Sequence, residues 1–195
     1  MIKSIQIGLH YLPLLLLFGC AGTTMVADKR PSEWSQKIEL QGFSNIYKID
    51  EYVYRSEQPH SNEMGALSHY GIKTVLNLRK TRNDNREANG TTLSLQHVPI
   101  NTWRMSYDDL VKSMVLLQRA EKPVLVHCLH GSDRTGCIIA AYRIVNNDWT
   151  KEEAIKELIE GGYGYHEKWF PNIIKLIKAL DVAQLKKDIQ LGSGF

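Results

Sequence analysis

The stretch that most constrains this chain is residues 124–136. The apolar run Val124-Leu125-Val126 ends in His127-Cys128, five residues follow before Arg134, and Thr135-Gly136 opens a second apolar run. β-Branched residues favour a strand. A short apolar run without alternation fits a strand covered on both faces. Gly131 marks a tight loop, so the segment reads as strand, loop, helix. A strand buried on both faces needs helices above and below it, which points to an α/β sandwich around a largely parallel sheet. In such sheets ligands bind beyond the carboxyl ends of the strands, and Cys128 sits at such an end.

The rest of the chain repeats the alternation. Residues 46–49 and 52–55 read as two short strands about Asp50-Glu51, a hairpin closed by Ser56-Glu57-Gln58-Pro59. Ser61 is placed to cap a helix to Tyr70 that Gly71 ends. Residues 73–78 and 93–100 read as strands, with 79–90 between them a polar loop or solvated helix. Ser106, with Asp109 three positions on, forms a capping box for a helix to about Ala120. After the central strand, one helix takes residues 135–147. Thr150 with Glu153 caps another, which stops at Gly161-Gly162. A last helix is expected over residues 170–189, with Pro171 tolerated in its first turn. The fold class is therefore α/β, one domain over 45–190, with a largely parallel central sheet flanked by helices.

At 195 residues the chain can bury one real core and carry a tail. A net charge of +3 gives no argument for a nucleic-acid partner; an anionic substrate needs only a local cluster. Three cysteines, Cys20, Cys128 and Cys137, make no disulfide scaffold and no CxxC zinc pair.

The N-terminus reads as a targeting segment. Lys3 gives a basic start, and residues 12–18 are apolar but for Pro13. That run is shorter than the roughly 20 residues of a spanning helix and has the length of a secretory h-region. Residues 1–19 are expected to be a signal peptide and 20–44 a linker. Leu17-Phe18-Gly19-Cys20 resembles a bacterial lipobox, although Phe18 departs from the small or aliphatic residue usual there. The resemblance implies cleavage before Cys20, lipidation of Cys20, and export to a bacterial membrane. Ala21 in place of Asp favours the periplasmic side of the outer membrane. An ordinary signal peptide with an incidental Cys20 is the alternative. In an oxidising compartment a Cys128–Cys137 disulfide and inert packing of Cys137 are both open, packing being the default.

The loop's chemistry follows from its ends. A loop leading into a helix N-terminus turns N–H groups inward and adds the helix dipole, forming an anion site. Both effects favour a thiolate at Cys128, the form that attacks. Arg134 offers a planar fork to two phosphoryl oxygens. Ser132 or Thr135 can hydrogen-bond the sulfur, and Thr135 can assist its departure. The plain alternative is a Cys that packs as a small hydrophobe. A metal cluster of His127, Cys128 and His130 lacks a distant ligand and is set aside.

His127-Cys128-x5-Arg134-Thr135-Gly136 resembles the signature of the cysteine-based protein tyrosine and dual-specificity phosphatases. Residues 54–59, 71–79 and 161–166 look like the bacterial dual-specificity-like members, so the resemblance spans roughly 45–180. It implies a two-step, metal-independent mechanism without cofactor, through a cysteinyl-phosphate on Cys128. It also implies that His127 tunes the thiol and that backbone amides of Leu129, His130, Gly131, Ser132, Asp133 and Arg134 bind the phosphoryl oxygens.

The leaving oxygen still needs a proton. The family usually supplies an Asp after the preceding strand, where this chain has Asn101. Asp133 is the first candidate acid, because Asp-Arg-Thr resembles myotubularin and Sac-type lipid phosphatases; Asp108 and Asp109 follow. His130 is a candidate substrate contact, Trp103 a pocket wall or a packing residue, and His166 an orienting group or a structural one. The expected substrate is a phosphorylated protein or small phosphoester. Phosphoinositide or inositol phosphate hydrolysis, rhodanese-like sulfur transfer and a catalytically weak phospho-binding module are the alternatives.

Overall fold

In the computed structural model, which describes residues 30–192, the central run forms strand β6 (Val124–His127), buried throughout. The other strands are β1 (Gln36–Lys37), β2 (Tyr47–Lys48), β3 (Val53–Ser56), β4 (Thr74–Arg79) and β5 (Ser94–Ile100). They form one six-stranded sheet in the order β1-β2-β3-β6-β4-β5. The β3–β6, β6–β4 and β4–β5 pairs are parallel, while β1 and β2 add an antiparallel edge. The expected α/β sandwich with a largely parallel sheet is the fold observed.

The helices are α1 (Ser61–Tyr70), α2 (Tyr107–Arg119), α3 (Asp133–Asn146), α4 (Lys151–Glu160), α5 (Pro171–Ala179) and α6 (Val182–Leu191). Successive strand residues point to opposite faces. Val124 and Val126 accordingly enter the core beneath α2–α6, with Leu76, Ile138, Leu158 and Ile173. Leu125 enters the core beneath α1, with Val75, Met64 and Leu67. Both faces of β6 are apolar because both are covered.

Four expectations need correction. The last helix is two: Leu180 turns into the core, and the Asp181 carboxylate accepts the Gln184 N–H at 2.9 Å, capping a new helix. α1 is capped by His60 rather than Ser61, and α3 begins at Asp133, which draws Asp133 and Arg134 into its first turn. The segment expected to be a linker up to residue 44 is part of the domain from Arg30 onward. Arg30 donates to Gly161 O at 2.8 Å and to the Tyr163 hydroxyl at 2.7 Å, and Ser35 is fully buried. Its polarity misled because the polar atoms are satisfied inside the fold. The signal segment and Cys20 lie outside the described residues. Among the described residues no helix is long and apolar enough to cross a membrane.

Ser35 docks on a buried network. The Glu157 carboxylate accepts from the Ser35 N–H at 2.6 Å, the Ser35 hydroxyl at 2.7 Å, the Tyr163 hydroxyl at 2.8 Å and Arg143 Nε at 3.1 Å. Burial pushes the Glu157 carboxyl up, but the Arg143 charge and these donors outweigh it and hold it below the usual glutamate range. A lowered native pKa means the stabilisation is complete above the unfolded-state value of about 4.5 and fades as pH falls through the native one. Glu157→Ala, which leaves Arg143 buried without its counter-ion, is expected to cost about 3–5 kcal/mol. Urea unfolding at pH 7 measures this loss, and the gap between variant and wild type should narrow below pH 4.

Candidate active site

Cys128 directly follows β6 and is 2% exposed. The loop beyond it is gripped from outside by three successive carbonyls. Leu129 O accepts the Gln58 N–H at 3.0 Å, His130 O accepts Asn45 Nδ2 at 2.7 Å, and Gly131 O accepts Arg55 Nη2 at 2.7 Å. In a trans peptide the C=O and the following N–H point to opposite sides. Drawing these carbonyls outward therefore turns the N–H groups of His130, Gly131 and Ser132 to the concave side, which is how an anion nest is made.

The grip depends on close backbone approach. Gly131 has φ +72°, and a Cβ there would lie 2.6 Å from the Ser56 carbonyl carbon and oxygen. Only glycine fits. Arg55 is buried, and its guanidinium lies 3.6 Å over the Tyr163 ring. Burial lowers its pKa, while the nearby Tyr163, Glu157 and Cys128 groups favour its charge. Arg55 thus binds the loop carbonyl rather than a core acid, the commoner arrangement for a buried arginine. The Ser132 hydroxyl donates to Tyr163 O at 2.6 Å, so it is engaged away from the sulfur. Thr135 Oγ1 and Arg134 Nε are buried with no protein partner among the described residues. Of the Ser132 and Thr135 hydroxyls, only that of Thr135 is therefore left without a protein partner.

Beneath the loop, His127 is fully buried. Its Nδ1 bonds Cys128 O at 3.0 Å and its Nε2 bonds Asp84 Oδ2 at 2.8 Å. A carbonyl oxygen only accepts, so Nδ1 donates. Asp84 Oδ1 also accepts Gln58 Nε2 at 2.8 Å. Burial raises the Asp84 carboxyl, but the His127 bond and charge, with Gln58 and Asn77, prevail and hold it below the usual range. Asp84 escaped the sequence reading because it lies within the polar run 79–90, where nothing marks one acid as buried. Gln58 stood inside a recognised motif without an assigned role.

The site opens into a cleft of about 780 Å³ whose lining includes Lys37, Arg79, Arg82, His60, His130 and His166. Arg79 is held below the usual arginine range by burial first and then by the positive charges of Arg82 and Arg134, against the pull of Asp84 and Cys128. Asp133 is buried in the first turn of α3; its carboxylate accepts the His166 N–H at 3.0 Å and meets His166 Nδ1 at 3.0 Å. Asp108 is exposed at the start of α2 and does not line the cleft; Asp109 closes the capping box with Ser106. Negative charge at a helix N-terminus accounts for both. Trp103 is 61% exposed and packs edge-on against Phe170. Cys137 is buried and reduced, and burial pushes its thiol far up, so it is inert packing.

His130, Asp133 and His166 bring ligand-type atoms within 4.8 Å of one another. They stand beside Arg134 and the positive end of α3, a field that favours anions over cations. No metal site is assigned there.

Residues 51–148 match the family described as the DSP-PTPase phosphatase of polymorphic toxin systems. The dual specificity protein phosphatase TpbA of Pseudomonas aeruginosa is 32% identical over 76% of this chain and 68% of its own length. Inositol diphosphatase DSP5 of Arabidopsis thaliana is 24% identical over 73% of this chain and 72% of its own. A crystal structure of a cysteine-to-serine TpbA variant with phosphotyrosine superposes with a TM-score of 0.74 at 28% identity, covering 85% of this chain and 99% of that one.

Two expectations follow from the grip on the loop. Gly131→Ala, forced against the Ser56 carbonyl, should displace the loop and lower kcat/KM by more than about 100-fold while circular dichroism stays native. Asp84→Asn should leave His127 without its anion and cost about 3–5 kcal/mol by denaturant titration.

Proposed function

From the premise that the chain belongs to the cysteine-based dual-specificity phosphatases, we propose that Cys128 is its nucleophile and that residues 129–134 with Arg134 bind the transferred phosphoryl group. The chain is a phosphatase of phosphate monoesters. The observation that carries the assignment of residues is the set of three outward carbonyls at Leu129, His130 and Gly131. Peptide planarity then turns the following amides to the concave side of the loop, which leads into Arg134, whose Nε has no protein partner among the described residues.

In the first step the Cys128 sulfur attacks phosphorus and the alcohol or phenol leaves. In the second, water attacks phosphorus and the thiolate departs. The loop amides and the Arg134 fork gain most where charge builds on the equatorial oxygens, and they need no reorganisation to do so. Thr135 stabilises the departing thiolate. His127 acts at one remove: it holds the Cys128 carbonyl and is itself held by Asp84.

The substrate reading is phosphotyrosine, with phosphoserine and phosphothreonine in second place, supported by the phosphotyrosine complex of the TpbA variant. A second reading, an inositol phosphate, is favoured by the cationic rim of Lys37, Arg79 and Arg82 together with the resemblance to an inositol diphosphatase. The lipobox-like Leu17–Cys20 segment supports an exported protein tethered by lipid on Cys20, which metabolic labelling with a fatty-acid probe tests.

A panel of phosphotyrosine peptide, phosphoserine peptide and inositol phosphates, run with wild type and Cys128→Ser in the presence of chelator, tests the assignment. Wild-type turnover is expected to survive chelation and to fall by at least about 10⁴-fold in Cys128→Ser. Activity that survives the serine substitution, or is lost to chelator, contradicts it.

A further inference from the structure

We propose that His166, oriented by Asp133, is the proton donor to the leaving oxygen and the base that activates water in the second step. The inference rests on the phosphatase reading above and deepens it.

The reaction needs a titratable group at the cleft that holds a proton and can release it. The carboxylates near the loop are committed as acceptors. Glu57 accepts from the Ser44 and Asn45 N–H groups at 2.7 and 3.1 Å. Glu87 pairs with Arg82 and Arg86 at 2.5 and 2.9 Å. Asp84 lies between Gln58 and His127. The turn after β5, Asn101-Thr102-Trp103-Arg104, contains no acid.

That turn nevertheless leads to His166. Asn172 donates to Thr102 O at 2.9 Å, Trp103 packs on Phe170 at 4.8 Å, and Phe170 stands 6.4 Å from the His166 ring. The His166 ring lines the cleft beside His130 and stands between the turn and the phosphate loop. Its Nδ1 meets the Asp133 carboxylate at 3.0 Å, and its backbone N–H fixes the same carboxylate. Asp133 directly precedes Arg134, so the ring is tied to the residue next to the phosphoryl fork. The other ring nitrogen, Nε2, has no protein partner among the described residues. A carboxylate on Nδ1 sets the tautomer and leaves Nε2 as the exchanging site.

The protons balance. In the first step the S–P bond forms, the ester P–O bond breaks, and the Nε2 proton goes to the leaving oxygen. In the second, neutral Nε2 takes a proton from water as the water oxygen attacks phosphorus and the S–P bond breaks. The products are the alcohol or phenol, inorganic phosphate and the starting enzyme. Asp133 keeps its charge throughout and is a positioning residue. The charged and titratable groups that face His166 or share its cleft are Asp133 and Arg134 on α3, His130 on the loop, Tyr165, Glu167 and Lys168 in its own segment, and Lys37, Glu57, His60, Arg79, Arg82, Glu87 and Tyr163 on the cleft walls.

The test uses aryl phosphates graded from dinitrophenyl, which leaves without a proton, to phenyl phosphate and phosphotyrosine peptide. His166→Asn is expected to lower kcat/KM, which reports the steps through release of the phenol, by about 10²–10³-fold on phenyl phosphate and by less than about tenfold on the dinitrophenyl ester. The alkaline limb of the wild-type pH profile should disappear in the variant. Free imidazole should restore turnover of phenyl phosphate to His166→Gly, and Asp133→Asn should show the same leaving-group pattern more weakly. Retained dinitrophenyl turnover demonstrates an intact fold and a working Cys128. An unchanged leaving-group dependence of kcat/KM, or an equal loss of kcat/KM on every ester, overturns the proposal. Activity that survives in Cys128→Ser would instead overturn the assignment of Cys128 as nucleophile on which the inference rests, so the two failures are distinguishable.

Discussion

The site depends on carbonyls held outward. Gln58, Asn45 and Arg55 each take one oxygen of the Leu129-His130-Gly131 turn, and the planarity of the peptide does the rest. On the proposed reading the amides converge on the phosphoryl group, and the cost of orienting these dipoles is met during folding rather than at the moment of reaction. Their donors come from distant parts of the chain: Arg55 from β3, Gln58 from the loop after it, Asn45 from the segment before β2. The parallel pairing of β3 with β6, in which Ser56 faces His127, sets the distance at which this grip works.

Two buried ionic networks support the grip from below and from the side. Below, Asp84 and His127 fix the Cys128 carbonyl, and Gln58 joins Asp84 to the loop. At the side, Glu157 gathers Ser35, Arg143 and Tyr163, while Tyr163 receives the Ser132 hydroxyl and lies against Arg55. Buried ion pairs of this kind are weak sources of net stability but costly to break by halves. Their value here is positional, because each ties a different strand or helix to the same six-residue turn. The segment from Arg30 belongs to the second network, which joins the lead-in to the catalytic domain with the wall of the active site.

Much of the fold was legible because the strands and helices carry their own signals. Val124-Leu125-Val126 is apolar on both faces, the Ser106 and Thr150 capping boxes stand in plain sight, and the Cys128–Arg134 spacing fixes the loop. What stayed hidden is long-range and polar. Asp84 looks like any acid in a solvated run until the fold carries it 43 positions to His127. Arg30 and Ser35 look like tail residues until Tyr163 and Glu157 receive them. The break at Leu180-Asp181 was missed because an apolar periodicity continues across it, and only the Asp181 cap reveals two helices. Asp133 was legible as a residue of interest, but its partner His166 is 33 positions away and becomes visible only in three dimensions.

The claim on which everything else rests is that the loop is a preformed anion site. Backbone amide NMR on Cys128→Ser, titrated with inorganic phosphate, tests it directly. The amide protons of residues 129–134 should move downfield together and saturate, with little change elsewhere, and Arg55→Lys should weaken that response at Gly131 and Ser132. Amides that do not respond, or that sharpen from disorder only when phosphate is added, would contradict a loop built before its ligand arrives.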